Sequence, residues 1–140
     1  VLPVRQLLPE GWSFFTRDPR EADVLIFHED AAGGWRPAHL GSYAQAKYAF
    51  GWSRRPRAQG VELGLILARL TDADWRPCGK LDDCLALSPA AEISLVNRSP
   101  VPTLCGHLAL VSAKPVPWAW AHRLGQDHRP ETVVFVSSRC

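Results

Sequence analysis

A thiol and an imidazole two residues apart, in Cys105-Gly106-His107, form the most reactive pairing in this 140-residue chain. In an extended backbone, residues i and i+2 face the same way, so the imidazole can take the thiol proton and leave a nucleophilic thiolate. On that reading Cys105 is the nucleophile and His107 the base of a thiol enzyme or peptidase. The competing reading is a bridged cysteine beside a surface histidine. It is favoured because catalytic Cys and His come as a rule from distant segments, and because a disulfide at Cys105 removes the thiolate.

No other set of titratable residues is stronger. The remaining histidines are His28, His39, His122 and His128, and none has the i,i+4 spacing of a helical metal pair. His122 and His128 flank a glycine-containing loop that can bring them together, although surface positions explain both. The carboxylates cluster as Asp72, Asp74, Asp82 and Asp83, and as Glu29 with Asp30. A two-carboxylate hydrolase needs a set separation across a cleft, whereas Asp72 and Asp74 are accounted for by the electrostatics of a helix start. There is no Gly-Lys-Ser/Thr phosphate loop, no glycine fingerprint after a strand and no serine in a nucleophile elbow. The motifs lean away from an enzyme and call for neither cofactor nor metal.

The cysteines are Cys78, Cys84, Cys105 and Cys140, and four cysteines permit three full pairings. Cys78 and Cys84 can close a small loop, which leaves Cys105 to staple Cys140 to a central strand. A zinc site competes, but its ligand pairs sit two to four residues apart, closer than Cys78 and Cys84. Disulfides are the expectation, and with them an oxidising compartment; four reduced structural cysteines in the cytosol are the alternative.

These residues need a frame, and the length suits one domain spanning residues 1–140 with a real core. A net charge of +2 is too weak for a nucleic-acid binder. Arg54, Arg55 and Arg57 read as a solvated helix start able to meet anionic lipid headgroups. Methionine is absent even at position 1, which points to a removed N-terminal leader or membrane anchor. No apolar run approaches the roughly 20 residues of a membrane-spanning helix.

Along the chain, residues 7–12 read as an opening loop, 13–16 as a short strand carrying Phe14 and Phe15, and 17–21 as an Asp-Pro turn. Residues 24–28 form a β-branched and aromatic strand, 29–34 a hairpin loop and 35–38 its return strand. A short helix is expected within 42–50. Ser53 is placed to cap a helix running to about Leu70, with Pro56 in its first turn. Val61, Leu65 and Ala68 share one face of that helix and Leu63, Leu67 and Leu70 another, so it should be largely buried, with Gly60 and Gly64 allowing close packing on a sheet. The alternation of Val61, Leu63, Leu65 and Leu67 also fits a strand. Residues 71–75 make a capped single turn, and 92–97, 106–112 and 132–137 three further strands. The result is an α+β domain with a mostly antiparallel sheet and one or two helices, stapled by disulfides.

One segment remains, Lys114-Pro115-Val116-Pro117-Trp118-Ala119-Trp120-Ala121. Pro115 and Pro117 keep it out of a helix interior or a central strand. In an extended chain Trp118 and Trp120 present both rings on one side, either to plug the core or to dock on a partner. Four stretches carry a resemblance: residues 8–21 (Leu-Pro-Glu-Gly-Trp-Ser-Phe-Phe-Thr-Arg-Asp-Pro-Arg-Glu), 57–64 (Arg-Ala-Gln-Gly-Val-Glu-Leu-Gly), 102–106 (Pro-Thr-Leu-Cys-Gly) and 114–120. Short singly but specific as an ordered set, they resemble the SdpA family of sporulation-delaying-type peptide toxin systems. The resemblance runs from near residue 7 to Cys140 and is weakest over 29–48 and 125–129.

The resemblance implies an accessory role in maturing a secreted antimicrobial peptide. It implies as partners a multi-spanning SdpB-like membrane protein, an SdpC-like toxin precursor and the membrane surface, with no nucleic acid. It carries over no catalytic residue. Trp118 and Trp120, framed by Pro115 and Pro117, become candidate partner-binding residues, since tryptophan is enriched at interaction hot spots and membrane boundaries. With the cysteines, a missing anchor favours the outer face of the plasma membrane; a peripheral protein on the cytoplasmic side is the alternative.

Overall fold

The structure, a computed structural model, describes residues 18, 20–41, 45–87 and 92–140. The expected loop at 7–12 and strand at 13–16, with Trp12, Phe14 and Phe15, lie outside the described residues. Strands β1 (Asp23–Glu29) and β2 (Trp35–Pro37) come first, followed by a 3-10 helix, Ala46–Gly51, and helix α1 (Arg55–Leu67). A single turn, Asp72–Asp74, leads through β3 (Arg76–Pro77) to α2 (Leu81–Ala86) and β4 (Ile93–Val96). The chain ends with β5 (Gly106–Pro115), α3 (Trp118–Leu124) and β6 (His128–Arg139).

The sheet runs β2-β1-β5-β6-β3, with β4 also on β6. All pairings are antiparallel except β4 with β6, which is parallel. β3 lies against Thr132 and Val133 and β4 against residues 136–139, so the two divide the outer edge of β6 between them. This is the expected α+β class with a mostly antiparallel sheet.

β5 and β6 are apolar at successive positions because both sheet faces are covered. Leu108, Leu110, Val134 and Val136 join Ile26 and α1's Ile66 in one core. Ala109, Val111, Val133 and Phe135 join Phe27 and α2's Cys84 in the other. Both strands outrun the stretches expected from sequence. Pro115 is tolerated as the last residue of β5, and Pro130 of β6 sits opposite Ala113, where the register shifts.

Helix α1 departs from its expected orientation. Its buried residues are Gln59, Glu62 and Ile66, while Val61 and Leu65 are 64% and 60% exposed. Gly60 and Gly64 open onto free space and do not pack on the sheet. Ser53 does not cap the helix: Arg54 holds the cap position without a side-chain bond, although Pro56 falls in the first turn as expected. The inward line 59–62–66 has helical spacing, and burying its polar members is offset by hydrogen bonds from two loops.

Candidate functional site

Cys105 is bridged to Cys140, with Cα atoms 5.7 Å apart, so in this state it offers no thiolate to His107. The other pair is Cys78–Cys84, with Cα atoms 5.2 Å apart. Between Cys105 and His107 the chain turns at Gly106, where φ is +84° and a Cβ would lie 3.2 Å from His28 Nε2. Only glycine suits that combination of left-handed backbone and close neighbour. His107 turns instead to Glu92, its Nδ1 lying 2.6 Å from Oε1. That hydrogen bond, then the charges of Glu92 and Glu29, raise the imidazole above its ordinary range. The carboxylate partner was not evident from sequence, because Glu92 is 15 residues away.

Beside this disulfide lies a set of buried polar groups that sequence reasoning passed over. Glu62 accepts hydrogen bonds from the Thr103 N–H (2.9 Å), the Leu104 N–H (2.8 Å), the Thr103 hydroxyl (2.7 Å) and the Asn97 side-chain amide. Burial pushes this carboxyl up, but the Leu104, Thr103 and Asn97 bonds outweigh it and hold the carboxyl below the usual range. One turn earlier, Gln59 accepts from the Leu40 N–H and donates to the Ala38 carbonyl and the Thr103 hydroxyl. Helix α1 thus ties the loops at 38–40 and 97–104 to the sheet. The signal was present in the sequence as Gln59 and Glu62 in line with Ile66.

Two further carboxylates hold local turns. Asp30 accepts from the Ala32 and Gly34 N–H groups and pairs with Arg36 at 2.9 Å, closing the β1–β2 turn. Asp74 accepts from the backbone and hydroxyl of Thr71 in a capping box. Asp82 and Asp83 occupy the first turn of α2.

At the other end of β5 the proline-framed segment turns helical. Pro117 precedes α3, Trp118 opens it, and Gly125 closes it with φ +63°. Residues i and i+2 on a helix lie about 200° apart, so the two rings do not share one side as an extended chain would have placed them. Both are nonetheless open to solvent, Trp118 at 83% and Trp120 at 55%, with Leu124 also exposed. The Arg123 guanidinium stands 5.5 Å from the Trp120 ring centre. His122 is exposed on α3, while His128 heads β6, and no hydrogen bond joins them. Phe50 and Trp52, also exposed, precede α1 beside Arg54, Arg55 and Arg57. That places them at the opposite end of the sheet, since the first turns of α1 bond Thr103, just before β5 begins.

A groove of about 690 Å³ follows β1 on its β2 side. β2 pairs only with Phe27–Glu29, so no strand lies beside Val24 and Leu25 there among the described residues. Leu63 and Leu67 of α1, with His39 and His128, also line it.

Residues 3–137 match the family described as "Sporulation delaying protein SdpA". Among curated proteins the chain is 30% identical over 135 residues to "Uncharacterized protein YitP" of Bacillus subtilis (strain 168), covering 96% of this chain and 74% of that one. It is 25% identical over 119 residues to "Sporulation-delaying protein SdpA" of the same organism, covering 84% and 71%. No solved structure matches. The agreement spans β1 through β6 and includes the stretches that form the Glu62 cluster and α3, so this chain belongs to the SdpA family.

Proposed function

We propose that this domain is an accessory in the production of a secreted antimicrobial peptide, docking through α3 on an SdpB-like membrane protein and presenting or shaping an SdpC-like precursor. Family membership ties the chain to sporulation-delaying-type systems. The observation that carries the docking role is the exposure of Trp118 and Trp120 on α3. Two large rings left in water at the tip of a rigid β5–β6 hairpin are costly unless a partner covers them. Arg123 and His122 in the last turn of α3 suit the polar boundary of a membrane protein. Two disulfides favour an oxidising compartment, hence the extracytoplasmic face of the plasma membrane. With Cys105 bridged, a thiol-enzyme role draws no support from the site.

Affinity purification from a membrane fraction tests this reading. The SdpB-like protein co-purifies with the native chain, and Trp118→Ala with Trp120→Ala removes it and lowers toxin output. Unchanged co-purification and output in the double variant would reject α3 as the docking element.

A further inference from the structure

We infer that the outer face of α1, with the turn before it, is a membrane-binding surface that rests on anionic lipid headgroups. The inference goes beyond the accessory reading and does not depend on α3. Its apolar part begins before the helix, where Phe50 is 80% and Trp52 90% exposed. The turn that carries them is fixed. The Trp52 N–H donates to the Ala49 carbonyl and the Ser53 N–H to that of Tyr48, whose hydroxyl bonds the Leu40 carbonyl at 2.8 Å. Ala49 and Phe50 both hold positive φ, +49° and +51°. Such backbone is costly outside glycine and persists only where its surroundings impose it. Along α1 the surface continues, since Arg57, Val61 and Leu65 recur at i, i+4 and i+8. Val61 and Leu65 are exposed, while Gln59, Glu62 and Ile66 take the buried side. A helix apolar on opposite sides calls for cover on both, and the sheet covers α1 on one.

Charge selects what covers the other. Between Asp30 and Asp72 the sequence holds one carboxylate, Glu62, and it is buried. Lys47, Arg54, Arg55, Arg57 and Arg69 are exposed over the same stretch, and none forms an ion pair with the described residues. At the far end of the helix a cleft of about 250 Å³ lies between α1 and β4, where Leu65 and Val96 meet Arg69 and Arg98 and no carboxylate enters. It is smaller than the about 300–1,000 Å³ of ordinary ligand pockets. Two guanidiniums over an apolar floor suit a single phosphate-bearing headgroup with its first methylenes.

A bilayer fits this surface better than a peptide. The flank of a helix is convex, and its backbone groups are spent on each other, so an extended chain finds neither a groove nor a ladder to join. Rings and leucines among arginines instead match an interface that is apolar just beneath a layer of negative charge. Because α1 packs on one face of the sheet through Ile66, Leu63 and Leu67, the sheet would lie along the membrane. From its end, α3 can reach a protein embedded in the same bilayer.

Vesicle flotation tests this with the chain as it stands. Phosphatidylcholine vesicles containing about 30% phosphatidylglycerol should carry the protein, pure phosphatidylcholine at least about tenfold less, and added salt should weaken the binding. Brominated acyl chains should quench part of the tryptophan emission, and Trp52→Phe should remove that part. Arg54→Gln with Arg55→Gln and Arg57→Gln should weaken binding at least about tenfold, and all three side chains are exposed, so folding is not at stake. No preference for the anionic vesicles, quenching unchanged in Trp52→Phe, or full binding by the triple variant would each overturn the proposal. So would a protein that ignores both vesicles but binds a labelled oligoglutamate peptide, which would give the surface to an acidic partner. Trp118→Ala with Trp120→Ala separates the two readings. Vesicle binding should survive in that variant even where co-purification is lost, and vesicle binding lost there would move the lipid contact to α3 and remove it from α1.

Discussion

The two ends of β5 are built on opposite principles. Before its first residue lie Thr103, Leu104 and the Cys105–Cys140 bridge, with Glu62, Asn97 and Gln59 buried and hydrogen-bonded around them. Beyond its last residue lies α3, whose tryptophans are exposed and whose described bonds are mainly backbone ones. Polar groups were drawn inside at one end, and aromatic groups were left outside at the other. The first end is built to be stable and the second to be available, so the same kind of substitution should read out as lost stability at one and lost partnership at the other.

The largest effect should come from Cys105→Ser with Cys140→Ser. Chain-entropy arithmetic for a separation of 35 residues gives about 4 kcal/mol, against about 2 kcal/mol for the six-residue Cys78–Cys84 loop. Denaturant melts of the two double variants check both size and order; equal losses would mean that strain or residual structure outweighs loop length.

Next is Glu62→Leu, which strands the donors of Thr103, Leu104 and Asn97. A loss of about 3 kcal/mol is expected, lowering the melting midpoint by roughly 6–12 °C. Acid should act on the same cluster. The folded carboxyl lies below its ordinary 4.5, so its contribution is fully present above that pH and fades as pH falls through the folded value. Glu62→Gln should flatten that acid limb in melts taken across it.

His107 should titrate above 6.5 by NMR, and Glu92→Gln should return it toward that value. A raised histidine adds stability that is fully present below 6.5 and is lost as pH rises through the folded value. The smallest change in stability, within about 0.5 kcal/mol, is expected for Trp118→Ala with Trp120→Ala. The same variant should nonetheless abolish co-purification of the proposed SdpB-like partner. A large loss of stability there would make α3 part of the frame and erase the contrast between the two ends.

Much of the frame was legible along the chain. Local chemistry announces itself locally: β-branched and aromatic runs at 24–28, 106–112 and 132–137 became strands β1, β5 and β6, and Asp30 with Gly34 closed the hairpin. Pro56 opened α1 as expected. The orientation of α1 was not legible, because Val61 and Leu65 are as apolar as Leu63 and Leu67. What turned Glu62 inward was a set of donors about 40 residues ahead in the chain, invisible to any local pattern. The tryptophans show the same limit, since Pro117 is compatible with both an extended segment and a helix start.

The amino-acid sequence by itself determined the class of fold, the capacity for two disulfides and the family. Strand periodicity, cysteine count and ordered motifs are all properties of the chain read in order. Only the tertiary structure decided which cysteines met, that Cys105 was withdrawn from His107 while Glu92 took its place, and that β2 stops short of Val24. Each of those depends on distance between segments far apart in the chain, and that distance exists only after the core on both faces of the sheet has brought them together.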